Sequence, residues 1–168
     1  KTKKNLMILS VTFKLSKTPN LNYTYESLRE EIDLSGIKLD LLSPMDMYKL
    51  VSRVRNRKLP NYLDKPNVGS FFKNIYLTEK DFFQLNLPFE IPEFQEKGLF
   101  KIPTALILQK TGWKGKKVGN IGMSDKHSLV LITYDEVKGS EVVSFAKSVI
   151  DDVYHKTGLK LEIEPTLV

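Results

Sequence analysis

The sequence predicts an α+β fold, a mixed or antiparallel sheet packed against helices. Two observations predict it. Helical start and stop signals bracket segments whose apolar residues recur at helical spacing, while other short runs alternate apolar and polar residues with a period of two. The two kinds of segment are interspersed, without the regular strand–helix succession that a parallel sheet requires.

Residues 5–15 come first. Val11, Phe13 and Leu15 alternate with Ser10, Thr12 and Lys14, the pattern of a half-buried strand. A strand so close to the first residue is expected to pair with chain outside this sequence, so the sequence reads as a fragment. A polar, turn-rich stretch follows at 17–23. Ser43, Pro44 and Asp46 mark a helix start: the serine can cap, proline suits the first helical position, and the aspartate sits near the positive end of the helix dipole. Tyr48, Val51 and Val54 then recur at helical spacing. Arg53, Arg55, Arg57 and Lys58 crowd the last turn, and Pro60 ends it. Thr78 and Asp81 open a short helix. Residues 103–111 form an apolar helical segment that Gly112 stops. Residues 118–123 and 128–134 read as two strands. The longest helix spans about 140–157, with Val142, Val143, Ala146, Val149, Ile150 and Val153 as its apolar stripe and Gly158 as its stop. Residues 159–164 make a last strand before Pro165.

Composition narrows the function classes. The 168 residues contain no cysteine, which excludes disulfides, thiolate catalysis and cysteine-ligated metals, and two histidines are too few for a histidine-rich metal site. No apolar run approaches the roughly 20 residues of a membrane span. The formal charge of +6 and pI near 9.3 suit nucleic acid, anionic lipid or a phosphorylated small molecule, or simply a solvated surface. The basic residues cluster at 1–4, 53–58 and 110–117, spread over several elements, and no nucleic-acid motif accompanies them. A basic nucleic-acid-binding module is therefore the weaker alternative, and neither nucleic acid nor membrane is expected as a partner.

Chemistry concentrates at Gly69, Ser70, Phe71, Phe72, Lys73 and Asn74. Glycine there lets the backbone bend or approach a ligand closely. If the segment is extended, Ser70, Phe72 and Asn74 share one face and Phe71 and Lys73 the other. One face would then offer a hydroxyl and an amide with an aromatic wall between them. The plainer reading is a core strand with a phenylalanine buried and the polar groups at its rim.

The hexapeptide resembles the signature of the UDP-N-acetylenolpyruvoylglucosamine reductases, the MurB family. Arg55 with Lys58, Leu59 and Pro60 resembles that family's Arg-x-x-Lys-Leu-Pro. Residues 111–119, beginning Thr111, Gly112, Trp113, Lys114, resemble its turn before a strand, and residues 127–132 resemble the strand after it. Leu161, Glu162, Ile163 and Glu164 resemble its terminal Leu-Glu-x-Glu. The blocks fall in the family's order along most of the chain.

The resemblance implies the C-terminal portion of an FAD- and NADPH-dependent enzyme that reduces UDP-N-acetylglucosamine enolpyruvate to UDP-N-acetylmuramate for peptidoglycan synthesis, in the cytoplasm. It implies that residues 1–42 end an FAD-binding region whose remainder is absent, and that residues 43–168 form the substrate-binding domain, with a monomer as the expected state. Ser70 would donate the proton and Glu164 would stabilise the developing enol. Lys58, Asn74 and Arg55 would serve the substrate's anionic region, and His127 falls where the family has a polar side chain near the substrate. Phe94 is expected to pack rather than touch ligand. A non-catalytic sugar-nucleotide-binding relative is the other alternative. The sequence departs from the family at Ile75, where proline is usual, and at Ala105, Leu106, Gln109 and Thr133.

Overall fold

A computed structural model describes residues 8–167, and the chain divides into two compact units, Lys1–Val54 and Arg55–Val168. The basic run at 1–4 and the start of the predicted first strand lie outside the described residues.

The first unit is helical. Helix α1 spans Glu26–Ser35, a 3₁₀ turn spans Leu39–Leu41, and α2 spans Pro44–Lys58. Leu28 and Ile32, four residues apart on one face of α1, are buried with Leu42 and Leu50. Gly36 closes α1 in the left-handed region at φ 69°, its N–H donating to the Asp33 carbonyl. The predicted capping of α2 is realised. The backbone N–H of Asp46 donates to Ser43 Oγ at 3.1 Å, and Ser43's own N–H donates to Asp46 Oδ2 at 3.1 Å. The buried stripe of α2 is Leu50 and Val54, with Met47 and Val51 beside it, whereas the predicted Tyr48 is 68% exposed.

The expected strand at 8–15 does not form. Those residues are irregular, and Val11, Phe13 and Leu15 are exposed. Alternation makes a strand only where a neighbour accepts its backbone hydrogen bonds, and no strand among the described residues pairs with this segment.

The second unit holds two three-stranded antiparallel sheets. The first comprises β1 (Ile75–Leu77), β2 (Phe94–Glu96) and β3 (Leu99–Ile102) in the order β1-β3-β2. Sequence reading did not resolve these short strands. Lys97 and Gly98, both at positive φ (54° and 78°), make the two-residue turn that joins β2 to β3. Phe94, on the edge strand, is half exposed rather than packed. Helix α3 (Glu79–Phe83) starts as predicted, with Thr78 Oγ1 accepting from the Asp81 N–H.

The second sheet comprises β4 (Lys117–Val118), β5 (Ile121–Met123) and β6 (Leu131–Thr133), in chain order. The single strand predicted at 118–123 is thus a hairpin, broken where Gly119 turns at φ 58°. Only the end of the strand predicted at 128–134 is regular. Helices α4 (Thr104–Lys110) and α5 (Gly139–Thr157) match their predictions. The α5 stripe buries Phe145, Ala146, Val149 and Val153, so an aromatic takes a place the sequence reading gave to aliphatics alone.

The signature segment runs between two neighbours. On one side the Phe71 N–H donates to the Leu129 carbonyl at 2.8 Å, and Ser70 bridges to Val130. On the other, Phe72 bridges antiparallel to Ile163, with Lys73 N–H donating to Glu162 O and Glu164 N–H to Phe71 O, each at 2.9 Å. The last predicted strand is therefore an extended stretch bound at one bridge.

Candidate substrate site

Residues 70–74 organise the site, and the core decides how. Both Phe71 and Phe72 are buried, 4% and 1% exposed, with rings edge to face at 5.4 Å. The expected aromatic wall between Ser70 and Asn74 is thus part of the core and not free to face a ligand. A segment covered on both faces can show polar groups only near its ends. Ser70 is exposed at one end and Lys73 at the other, with Asn74 half-buried beside it.

Two hydrogen bonds clamp the Asn74 end to α4. The Thr104 N–H donates to Asn74 Oδ1 at 3.1 Å, and Thr104 Oγ1 donates to the Lys73 carbonyl at 2.6 Å. Asn74 thereby satisfies one of the N–H groups that a helix start leaves without an intrahelical partner.

Asn74 and Glu164 line one cavity of about 510 Å³, together with Lys73, Ile75, Tyr76, Lys160 and Glu162. The two glutamates that alternate on one strand face differ sharply here. Glu162 is exposed and pairs across the strands with Lys73, Nζ to Oε2 at 2.6 Å, and that hydrogen bond holds its carboxyl below the usual range. Glu164 is half-buried. Ser70 is not in the cavity lining. It lies next to Phe71, whose carbonyl accepts the Glu164 N–H.

The second grouping is Lys58 with His127. Burial, then the ammonium groups of Lys114 and Lys58, hold the His127 imidazole below the usual histidine range. The Leu129 N–H donates to His127 Nδ1 at 3.3 Å, which leaves the neutral ring's proton on Nε2. Lys126 Nζ reaches back to the Asn56 carbonyl at 3.0 Å, and Ser128 Oγ donates to the Ala105 carbonyl at 2.6 Å. Those bonds tie residues 124–128 to the last turn of α2 and the first turn of α4. Arg55 is on that exposed last turn, its carbonyl accepting from Leu59.

Of the predicted site residues, then, Asn74 and Glu164 share a cavity, Lys58 and His127 share a basic cluster, and Ser70 lies on the strand between the Leu129 and Glu164 contacts. Lys114 and Lys73 were missed as site residues. Lys114 stands within the motif at 111–119, and Lys73 lies on the opposite face of the extended segment from Ser70 and Asn74, so neither carried a local signal for the site. Of the departures, Ile75 lines the cavity itself. Ile75 is the first residue of β1, a place that tolerates proline equally, and Ala105 meets Ser128 through its backbone.

An α+β domain built on antiparallel sheets, with a polar cavity lined by Asn74 and Glu164, is the class of protein defined so far. Residues 61–168 match the family model of the UDP-N-acetylenolpyruvoylglucosamine reductase C-terminal domain, and the chain belongs to that family. It is 34% identical over 165 residues to the UDP-N-acetylenolpyruvoylglucosamine reductase of Burkholderia ambifaria, covering 96% of this chain and 47% of that protein. It is 33% identical over 167 residues to the protein of the same name from Pseudomonas savastanoi pv. phaseolicola, covering 96% of this chain and 48% of that protein. The chain thus spans about half the length of these relatives. Among the described residues no helix is long and apolar enough to cross a membrane.

Proposed function

We propose that this chain is the substrate-binding portion of an oxidoreductase that reduces UDP-N-acetylglucosamine enolpyruvate to UDP-N-acetylmuramate in cytoplasmic peptidoglycan synthesis. The observation that carries the reading is the junction at residues 70–74, where one strand lies between a Glu164-lined cavity and the backbone leading to His127. The chemistry implied is hydride delivery to C3 of the enolpyruvyl group by FAD that NADPH has reduced. The cavity lining, two lysines and two glutamates among its seven residues, is no apolar slot for a flavin ring, and no flavin contact is assigned to these residues.

The roles left to this chain are binding and proton transfer. Asn74's amide and Lys58 offer donors and positive charge to the diphosphate. Ser70 Oγ gives its proton to C2 as the enol-like anion collapses, a role that solvent exposure in the isolated portion permits. A serine hydroxyl is a weak acid, so it needs an acceptor held in place and nearby stabilisation of the alkoxide. Glu164, half-buried at the cavity, is the carboxylate that polarises the developing enol in this reading. The division into an FAD-binding end at 1–42 and a substrate domain at 43–168 belongs to the same proposal.

The test uses the intact protein. Ser70→Ala is expected to keep the NADPH-dependent reduction of flavin and to lose product formation by about two to four decades, the usual contribution of a positioned proton donor. Normal product formation by that variant would overturn the assignment.

A further inference from the structure

We infer that Tyr76 is the stacking platform for the uracil base of the substrate, at the end of the Glu164 cavity away from Ser70. The inference rests on the proposed reading of the chain as a sugar-nucleotide binder and adds to it the residue that takes the base.

The first sheet decides which way Tyr76 faces. In β1, Ile75 and Leu77 pair with Ile102 and Phe100 of β3, and both of those partners are buried in the core. Tyr76 pairs with Lys101 and belongs to the opposite face, as alternation along a strand requires. It is 44% exposed, and it lines the cavity that Asn74 and Glu164 share.

The ring is held in place. Its hydroxyl donates to Glu96 Oε2 at 3.2 Å, and Lys101 Nζ reaches the same oxygen at 3.2 Å. Those two bonds, that of Lys101 foremost, keep the Glu96 carboxyl below its usual range, so the acceptor is charged at neutral pH. The phenol is thus fixed at one end by β1 and at the other by a residue of β2, across the width of the sheet. A ring tethered at both ends has little freedom left to lose when a second ring settles on it.

The order of groups along the strand matches the order of groups in the substrate. Glu164 is bonded to Phe71, next to Ser70, and these two acidic and hydroxyl groups take the enolpyruvyl end. Asn74, which takes the diphosphate, comes three residues after Phe71, and Tyr76 two residues after that. At about 3.3 Å per extended residue, Phe71 and Tyr76 stand roughly 16 Å apart and Asn74 and Tyr76 about 7 Å apart. In a sugar nucleotide the diphosphate joins the sugar on one side and the nucleoside on the other. With the enolpyruvyl sugar toward Glu164, the nucleoside leaves Asn74 in the direction of Tyr76. A planar base and the open face of a tyrosine ring each remove apolar surface from water when they stack.

The test compares UDP with inorganic diphosphate, each titrated calorimetrically into the intact protein, and follows the uracil ring protons by NMR. The parent is expected to bind UDP more tightly than diphosphate and to show nuclear Overhauser contacts from uracil to the Tyr76 ring. Tyr76→Ala is expected to weaken UDP about tenfold, the scale of one base on one aromatic ring, and to leave diphosphate unchanged. Tyr76→Phe keeps the ring and loses its tether, and is expected to weaken UDP by no more than about threefold. UDP bound without contacts to Tyr76, UDP bound as tightly by Tyr76→Ala as by the parent, or equal losses of UDP and diphosphate in that variant overturn this inference alone. The contacts are read in the parent and decide the matter even if the alanine variant does not fold. Failure of UDP to bind the parent overturns the substrate reading and this with it.

Discussion

Replacing Thr104 by valine tests what holds the signature segment against α4. Thr104 is completely buried, and its hydroxyl donates to the Lys73 carbonyl at 2.6 Å. Valine keeps the shape and puts a methyl group where the donor was, in a place water does not reach. A buried carbonyl left without its partner costs about 1–3 kcal/mol. The extra apolar surface returns less than about 1 kcal/mol, roughly one buried methylene. The expected net loss is about 1–2 kcal/mol. Urea unfolding should show it as a lower midpoint at unchanged slope, because the surface exposed on unfolding is the same. Thr104→Ser is the control. It keeps the hydroxyl, loses only a methyl group, and should cost about 1 kcal/mol or less. A valine variant as stable as the parent, or a serine variant worse than the valine one, would show that packing rather than the hydrogen bond fixes this junction.

Two further outcomes follow from the structure. Gly122→Ala would bring a Cβ to 2.8 Å from the Lys116 carbonyl oxygen and 3.2 Å from the Lys117 Cα, both backbone of the neighbouring strand segment. It should destabilise by about 1–3 kcal/mol, read as a drop in thermal midpoint, and an unchanged midpoint would refute the packing of that hairpin. Asp152 has its carboxyl held below the usual range, first by the hydrogen bond from Lys156 and also by the Trp113 indole N–H. The unfolded chain thus takes up that proton more readily than the folded one. The stabilisation is present above the ordinary carboxylate value of about 4 and is lost as pH falls through the lowered folded value. Asp152→Asn should flatten the acid limb of midpoint against pH, and an acid limb of the same steepness would remove Asp152 from that account.

The elements legible in the sequence were those that carry their own end signals. Helices α2, α3 and α5 announce themselves through Ser43 with Asp46, Thr78 with Asp81, and Gly158, because caps are local chemistry between residues a turn apart. Helix α1 escaped notice because Tyr25, at its N-cap, makes no side-chain cap bond. The strands were harder. Three or four residues of β1 to β3 are too few to show a period, and their existence depends on partners distant in sequence. The segment at 8–15 is the converse case, a clear period two with no partner among the described residues. For the site, the chemically distinctive residues could be named from sequence, but their grouping could not. Nothing local says that Asn74 and Glu164 share a cavity, or that Lys114 reaches the field of His127.

The burial of adjacent phenylalanines explains why the site takes the form it does. In a strand with one solvated face, Phe71 and Phe72 would point to opposite environments, and one of them would be open to ligand. Here both rings enter the core, and the flanking stretches take the segment's two edges. The backbone of 71–72 is then fixed from both sides by bonds to Leu129 and Glu164. Ser70 consequently emerges where core packing ends, and its position is inherited from the two rings rather than from any contact of its own hydroxyl. A change that loosens Phe72 should therefore reach Ser70 through the backbone, whereas a change at the exposed Lys73–Glu162 pair, an ion pair in water worth little, should not. The signature segment of this domain is in that sense a piece of its core whose ends happen to be wet.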